Sequence, residues 1–219
     1  MDNNKEWQDL WAKKSEFDRA LASKQILLSE WFEAVDSILH RLMPSLNEAT
    51  HKITVDDIRE REQHPSPRLA GCDRVLVVRR FRDTQQHTQS MLEAIGCEVT
   101  TAGDGFEAVV ELALGHYDLL VIGSVLSHLS GVEVINLKNL LRIDTPAIMH
   151  TLMPLGLAAG LAFEVPLPPE DCICAGNIVD GKLSLNLRHI IEGDHRLLAR
   201  VRAHLELRGK HLSEAKQGA

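Results

Sequence analysis

Residues 74–101 read RVLVVRRFRDTQQHTQSMLEAIGCEVTT, a sequence that changes from strand to helix and back to strand. Arg74–Val78 is an almost continuously apolar run, which is typical of a strand buried on both faces. Residues 84–96 carry apolar side chains at helical spacing and end at Gly96, so they predict an amphipathic helix. Cys97 to Thr101 then form a short predicted strand. This strand–helix–strand unit indicates a parallel pair of strands with a right-handed crossover.

The same alternation continues through the next fifty residues. The pattern predicts helices over 105–115 and 131–142, and strands over 118–122 and 146–150. A fifth strand is expected near residues 163–168, and the interval before it is too short and too interrupted for a full fourth helix. The sequence therefore predicts an α/β fold, a doubly wound parallel five-stranded sheet between helices, with a shortened or missing fourth helix.

Prolines and turn residues divide the rest of the chain. Pro65 and Pro67 separate an N-terminal helical segment, residues 1–62, from the α/β domain, residues 72–219. Within that domain, residues 171–188 alternate around Asp180-Gly181, which predicts an inserted β-hairpin beginning at Cys172. Residues 193–213 predict a final helix, with Asp194 as its N-cap.

The N-terminal segment has an apolar repeat of 3.5 residues. Nine of eleven heptad positions are apolar, and the other two are Lys14 and Lys24. This repeat favours an intermolecular coiled coil that dimerises the protein. A broken helical hairpin packed on the same chain is the alternative, supported by extra apolar residues such as Phe32 and Leu39. The predicted dimer contacts are Trp7, Leu10, Phe17, Leu21, Leu28, Trp31, Val35, Ile38 and Leu42.

Composition narrows the classes of function. The chain has 219 residues and a formal net charge of −7, which argues against non-specific binding to nucleic acid or anionic membranes. It has no apolar run of 18 residues and no signal-peptide pattern, so we expect a cytoplasmic protein. The pair Cys172 and Cys174 has no second pair at zinc spacing. Because catalytic and nucleotide-binding motifs are also missing, we expect neither an enzyme nor a cofactor.

Several short motifs, in order, resemble the receiver domain of bacterial response regulators. The resemblance rests on Arg74–Val78, on Ala102–Ala108 as the turn into the second helix, on Asp118–Ile122, on Gly131–Val134 and on Pro146–Met149. It covers roughly residues 72–168. It implies a bacterial two-component protein, with a sheet whose carboxyl edge would carry the phosphorylation site.

The residues that the family uses for phosphorylation are mostly replaced in this chain. The family places an acidic pair for magnesium after the first strand, where this chain has Arg79 and Arg80. It places the phosphorylated aspartate at the end of the third strand, where this chain has Gly123. The hydroxyl at the end of the fourth strand is retained as Thr151, and no lysine is found after the expected fifth strand. The chain therefore looks like a pseudo-receiver.

Three functions remain open from the sequence. The first is phosphorylation-independent signal transduction by contact with a protein partner, such as a signalling kinase, a regulator or a scaffold. The second is anion sensing by Arg79 and Arg80 together with the hydroxyls of Ser124 and Thr151. The third is association with nucleic acid through the basic final helix, whose cations are Arg196, Arg200, Arg202, Arg208 and Lys210.

Overall fold

The sheet has five parallel strands. The computed structural model describes residues 3–42, 53–64, 73–151, 166–175, 177–179, 182–184 and 187–217. The strands are β1 (Arg74–Val78), β2 (Glu98–Ala102), β3 (Leu119–Ile122), β4 (Ala147–Thr151) and β5 (Cys172–Cys174). Their spatial order is β2-β1-β3-β4-β5. This is the order of doubly wound, flavodoxin-like sheets, so the predicted fold class is confirmed.

Helices cover both faces of the sheet. They are α1 (Asn3–Ala22), α2 (Leu28–Leu42), α3 (Val55–Gln63), α4 (Arg82–Glu93), α5 (Gly105–Leu114), α6 (Gly131–Leu140) and α7 (Leu187–Gln217). Side chains alternate along each strand, so Leu76 and Leu120 enter the core beneath α5 and α6, and Val75 and Val121 enter the core beneath α4 and α7. The helical layers therefore bury β1, β3 and β4 on both faces.

The fifth strand differs from its predicted position. Cys172–Cys174 pairs in parallel with β4, with Thr151 opposite Cys174, whereas the sequence analysis gave these residues to the hairpin. Ile173 is the reason, because its buried side chain joins the core beneath α7. The hairpin is confined to β6 (Asn177–Val179) and β7 (Lys182–Ser184). The fourth-helix prediction falls on residues 152–165, which lie outside the described residues.

The final helix begins at Leu187, six residues before its predicted start. The sequence analysis took Gly193 and Asp194 for the helix start, but both lie inside the helix. Gly193 instead allows close packing, because a Cβ there would lie 2.8 Å from the Ala175 Cβ. Asp194 does not cap the helix; its Oδ2 lies 2.8 Å from the His87 Nε2 on α4.

The N-terminal segment forms a helical hairpin that packs on the α/β domain of the same chain. Of the arrangements that the sequence left open, the structure has the helical hairpin, because α1 ends at Ala22 and α2 runs back along it. Trp31 is fully buried, and its ring meets Phe106 of α5 edge-on at 5.6 Å between centroids. Arg61 of α3 donates to Glu111 of α5 at 2.7 Å.

Most of the predicted dimer contacts are buried within this one chain. Trp7 is half-exposed, Phe17 and Leu42 are half-buried, and the buried members are Leu10, Leu21, Leu28, Trp31, Val35 and Ile38. Phe32 and Leu39 are buried beside them, so the apolar stripe of α2 is wider than a coiled-coil seam. A dimer built on these residues would have to open the hairpin.

Lys14, which broke the apolar repeat, belongs to a buried polar network between the hairpin and α6. Its Nζ lies 3.0 Å from the Asp18 Oδ2 and 3.8 Å from the Glu133 Oε1. The Trp31 Nε1 donates to the Asp18 Oδ1 at 2.9 Å. A buried ammonium is tolerable only with such partners, so Lys14 fixes how α1 sits on the domain.

Candidate functional site at the carboxyl edge of the sheet

The structure brings three of the four predicted anion-binding residues together. Arg79 follows β1, Ser124 lies just after β3, and Thr151 ends β4, so all three meet at the carboxyl edge. The Ser124 Oγ and the Thr151 Oγ1 are 2.8 Å apart and hydrogen-bonded. Arg80 does not join them; it is exposed, and its guanidinium lies over the Phe81 ring, 5.5 Å from the centroid.

Arg79 turns into the protein and lies beside Gly123. A Cβ added at Gly123 would be 3.5 Å from the Arg79 Nη1 and 3.7 Å from its Cδ. These are ordinary contact distances, so Arg79 follows the surface that the glycine leaves open. The surface beside Gly123 is therefore covered by the arginine side chain.

The partner of Arg79 is His150, which the sequence analysis treated as a strand residue. The Nη1 of Arg79 donates to the His150 carbonyl, and its Nη2 lies 2.6 Å from the His150 Nδ1. Because a guanidinium can only donate, the Nδ1 accepts and the imidazole is neutral with its proton on Nε2. In the described part of the chain, the Arg79 Nε and the His150 Nε2 are buried without a hydrogen-bond partner.

Burial shifts both ionisable groups toward their neutral forms. Burial, reinforced by the charge of Arg79, lowers the pKa of His150 to about 3. Burial also lowers the pKa of Arg79 to about 10, while the Asp194 carboxylate acts in the opposite direction. At neutral pH the pair is therefore a charged arginine hydrogen-bonded to a neutral histidine.

Several charged groups described at this edge of the sheet already have partners within the chain. Among the described residues, no group of three histidine, cysteine or carboxylate side chains is arranged to hold one. Asp104, at the end of the β2 loop, caps α5 through the Glu107 amide at 2.9 Å. The edge instead presents the buried cation of Arg79, and Arg196 donates to the Cys174 carbonyl beside it.

The lysine position also moves with the corrected fifth strand. β5 ends at Cys174 and is followed by Ala175, so the residues at its carboxyl end are not those near 163–168. Neither residue is a lysine. His150 and Asp194 are the site residues that the sequence analysis missed, and the one available signal was a histidine directly before the retained Thr151.

The basic stripe of α7 faces the chain's own sheet. Arg200 and His204 both contact the Asp171 Oδ1, at 2.5 and 2.8 Å. Arg208, four residues after His204 on the helix, pairs with Asp118. With Arg196 on Cys174, three of the five cations proposed to contact nucleic acid are engaged in these bonds. Arg202 is exposed, and the side chain of Lys210 lies outside the described residues.

Comparisons with known proteins find similarity at low identity. No family model matches the chain. A stretch of 78 residues is 28% identical to Protein PilG of Pseudomonas aeruginosa, covering 35% of this chain and 58% of PilG, so the chain spans about 58% of that relative's length. No segment among the described helices is long and apolar enough to cross a membrane.

Two solved structures illustrate the similarity. The receiver domain of the Francisella response regulator 1452 is 26% identical, with 39% of this chain and 71% of that chain covered and a TM-score of 0.37. The signal receiver domain of an HD domain-containing protein from Pseudomonas fluorescens Pf-5 is 20% identical, with 64% and 99% covered and a TM-score of 0.46. The strand order and helical layers of the chain itself establish that its fold is receiver-like.

Proposed function

We propose that this chain is a pseudo-receiver that transmits signals by protein–protein contact and is not phosphorylated. The observation that carries the proposal is the buried Arg79 lying against Gly123, with its Nη groups held by His150. The arginine puts a fixed positive charge where a receiver of the family would bring together a magnesium ion and an aspartate.

Three of the four positions that the family uses for phosphoryl transfer are replaced in this chain, and the hydroxyl of Thr151 is retained. Gly123 has no nucleophilic side chain. A cation at Arg79 repels Mg²⁺, which needs oxygen ligands, usually including carboxylates. β5 ends without a lysine to meet the phosphoryl oxygens. The proposal thus rests on three replaced positions together.

The same contacts support a signalling surface that is held in one state. Thr151 is bonded to Ser124, and Arg79 bridges β1 to β4 through His150. Because these bonds are internal to the chain, no phosphoryl group is needed to arrange the strand ends. We propose that a cytoplasmic protein partner, such as a kinase, a regulator or a scaffold, recognises this constant arrangement. Homodimerisation stays a prediction.

The anion-sensing alternative would require these bonds to rearrange. Both Nη groups of Arg79 already bind His150, the Ser124 and Thr151 hydroxyls bind each other, and Arg80 lies outside the group. An anion would have to replace the histidine as the partner of Arg79. The geometry therefore favours a site whose polar groups are already bonded to one another over a site that is open to an anion.

The test is phosphorylation by acetyl phosphate with Mg²⁺, followed by intact-mass measurement, with a phosphorylatable receiver as positive control. We expect no added phosphate on the wild type or on Gly123→Asp. In the variant, the new carboxylate would pair with Arg79, because a Cβ at this position lies 3.5 Å from the Nη1. Magnesium-dependent, acid-labile phosphate on the wild-type protein would overturn the proposal.

A further inference from the structure

A second cationic site lies where the N-terminal hairpin meets α6. A groove of about 630 Å³ is bounded by the last turns of α1 and α6 and by the residues that follow each helix. Its volume is within the range of small-molecule sites. We call it the cationic groove, and its lining residues are Arg19, Ala22, Ser23, Lys24, Leu140, Leu141 and Arg142.

The groove concentrates positive charge in an acidic protein. Three of its seven lining residues are cationic, all three are exposed, and none of the seven is acidic. Within the described residues, Lys24 and Arg142 form no side-chain hydrogen bond or ion pair. The Nε of Arg19 donates to the Ser15 carbonyl at 3.1 Å. Its two Nη groups form no hydrogen bond with the described residues and are available to a ligand. Three cations in one groove, with no carboxylate among its lining residues, indicate a site for an anion.

Lys24 and Arg142 also share an unusual backbone conformation. Their φ angles are 59° and 56°, in the left-handed region that normally favours glycine. Each is the second residue after the end of a helix, the position where glycine is the usual residue. Long cationic side chains at both positions are therefore kept at a cost in backbone energy. Such non-glycine residues concentrate at functional sites.

Helix capping does not account for these side chains. At the end of α1, the Gln25 amide donates to the Ala20 carbonyl at 2.9 Å, and the Lys24 amide donates to Leu21. At the end of α6, the Ile143 amide donates to the Lys138 carbonyl at 3.0 Å. Backbone amides already satisfy these carbonyls, as they would with glycine in place of either cation. The charged side chains are free to act elsewhere.

We infer that the cationic groove binds a small organic phosphate that carries at least two negative charges. Guanidinium groups match the geometry of phosphate oxygens, and the Lys24 ammonium adds a third donor. Leu140, which is 42% exposed, and Leu141 give the rest of the ligand an apolar contact. The inference does not depend on the proposed pseudo-receiver function.

Such a ligand would bridge two parts of the fold. Arg19 and Lys24 belong to the hairpin, whereas Arg142 follows α6 of the α/β domain. Binding therefore favours the arrangement in which the hairpin is docked on the domain, and stabilises it by mass action. The groove would make the contact between hairpin and domain responsive to the concentration of the ligand.

The experiment uses pyrophosphate as the probe and the full chain as the protein. Isothermal titration and thermal melting are measured in pyrophosphate and in sodium chloride at matched ionic strength. We expect saturable binding with a rise in Tm that chloride does not reproduce. Arg19→Gln should weaken binding about tenfold or more, because it removes charge-assisted hydrogen bonds. Lys13→Gln, an exposed cation of α1 outside the groove, is the matched control and should bind like wild type.

The double variant Lys24→Gly/Arg142→Gly separates binding from folding. Glycine adopts a positive φ without strain, so the variant should stay folded, with a ligand-free Tm at least equal to that of the wild type. Its pyrophosphate affinity should nevertheless fall by more than that of Arg19→Gln. The inference is overturned by a wild type that shows no saturable pyrophosphate binding, or by unchanged affinity in both the double variant and Arg19→Gln.

Discussion

Replacing Trp31 by alanine tests whether the N-terminal hairpin belongs to the folding unit of one chain. Trp31 is fully buried between the hairpin and the α/β domain, where its ring meets Phe106 and its Nε1 donates to Asp18. Trp7 provides a matched control, because it occupies the same predicted seam but is 50% exposed. The two substitutions delete the same atoms from different environments.

The expected loss can be worked from the burial of the side chain. A buried tryptophan removes roughly 200 Å² from water, which at about 25 cal/mol per Å² is about 5 kcal/mol. Compactness of the unfolded chain reduces this to about 3–4 kcal/mol. The edge-on aromatic contact adds about 1 kcal/mol. We therefore expect Trp31→Ala to reduce the free energy of unfolding by about 4 kcal/mol, and Trp7→Ala by less than about 1 kcal/mol.

Urea unfolding followed by circular dichroism measures both losses at two protein concentrations. If Trp31 packs within one chain, the unfolding midpoints do not depend on concentration. Equal losses for the two tryptophans, or a midpoint that rises with concentration in the wild type only, would refute intrachain packing. Those results would favour the intermolecular coiled coil.

Two further outcomes follow from the strand ends. Gly131→Ala is expected to cost about 3 kcal/mol, because its Cβ would lie 2.1 Å from the Gly123 carbonyl oxygen, whereas Gly123→Ala meets nothing closer than 3.5 Å and serves as the control in urea unfolding. Folding lowers the pKa of His150 from 6.5 to about 3. The neutral imidazole therefore contributes fully to the free energy of unfolding above pH 6.5, and this contribution is lost as the pH falls from 6.5 toward 3. Between pH 6.5 and 5 the wild type should lose about 2 kcal/mol more than His150→Gln, measured by urea unfolding at both pH values.

The α/β domain was predictable because its signals are local. The apolar run at Arg74–Val78 and the capped helix that Asp104 begins are both encoded within a few residues. The fifth strand was misplaced because Cys172–Cys174 is only three residues long. A strand that short is selected by pairing with the edge of β4 and by burial of Ile173, and neither contact can be read from its own neighbourhood.

The sequence left the N-terminal segment with two possible arrangements because one sequence pattern fits both. A seam at a spacing of three and four residues is satisfied by a partner helix or by a domain surface of the same chain. The information that decides between them lies in Phe106, some seventy residues after Trp31, whose ring fills the contact. The break itself falls at Lys24, where a non-glycine residue turns the chain without the usual sequence signal.

Arg79 shows why the chemistry of the site was only half readable. The sequence has Arg79 and Arg80 at the strand end where the family has an acidic pair, and this suggested an open binding site for an anion. That interpretation assumed that a charged residue after a strand faces solvent. The buried neutral His150 supplies acceptors from inside the sheet instead, so Arg79 is bound before any ligand arrives. Arg79, which in the sequence looks like an added binding group, therefore fills the space beside Gly123. The cations proposed to bind a ligand are those of the cationic groove, at the two helix ends that Lys24 and Arg142 follow.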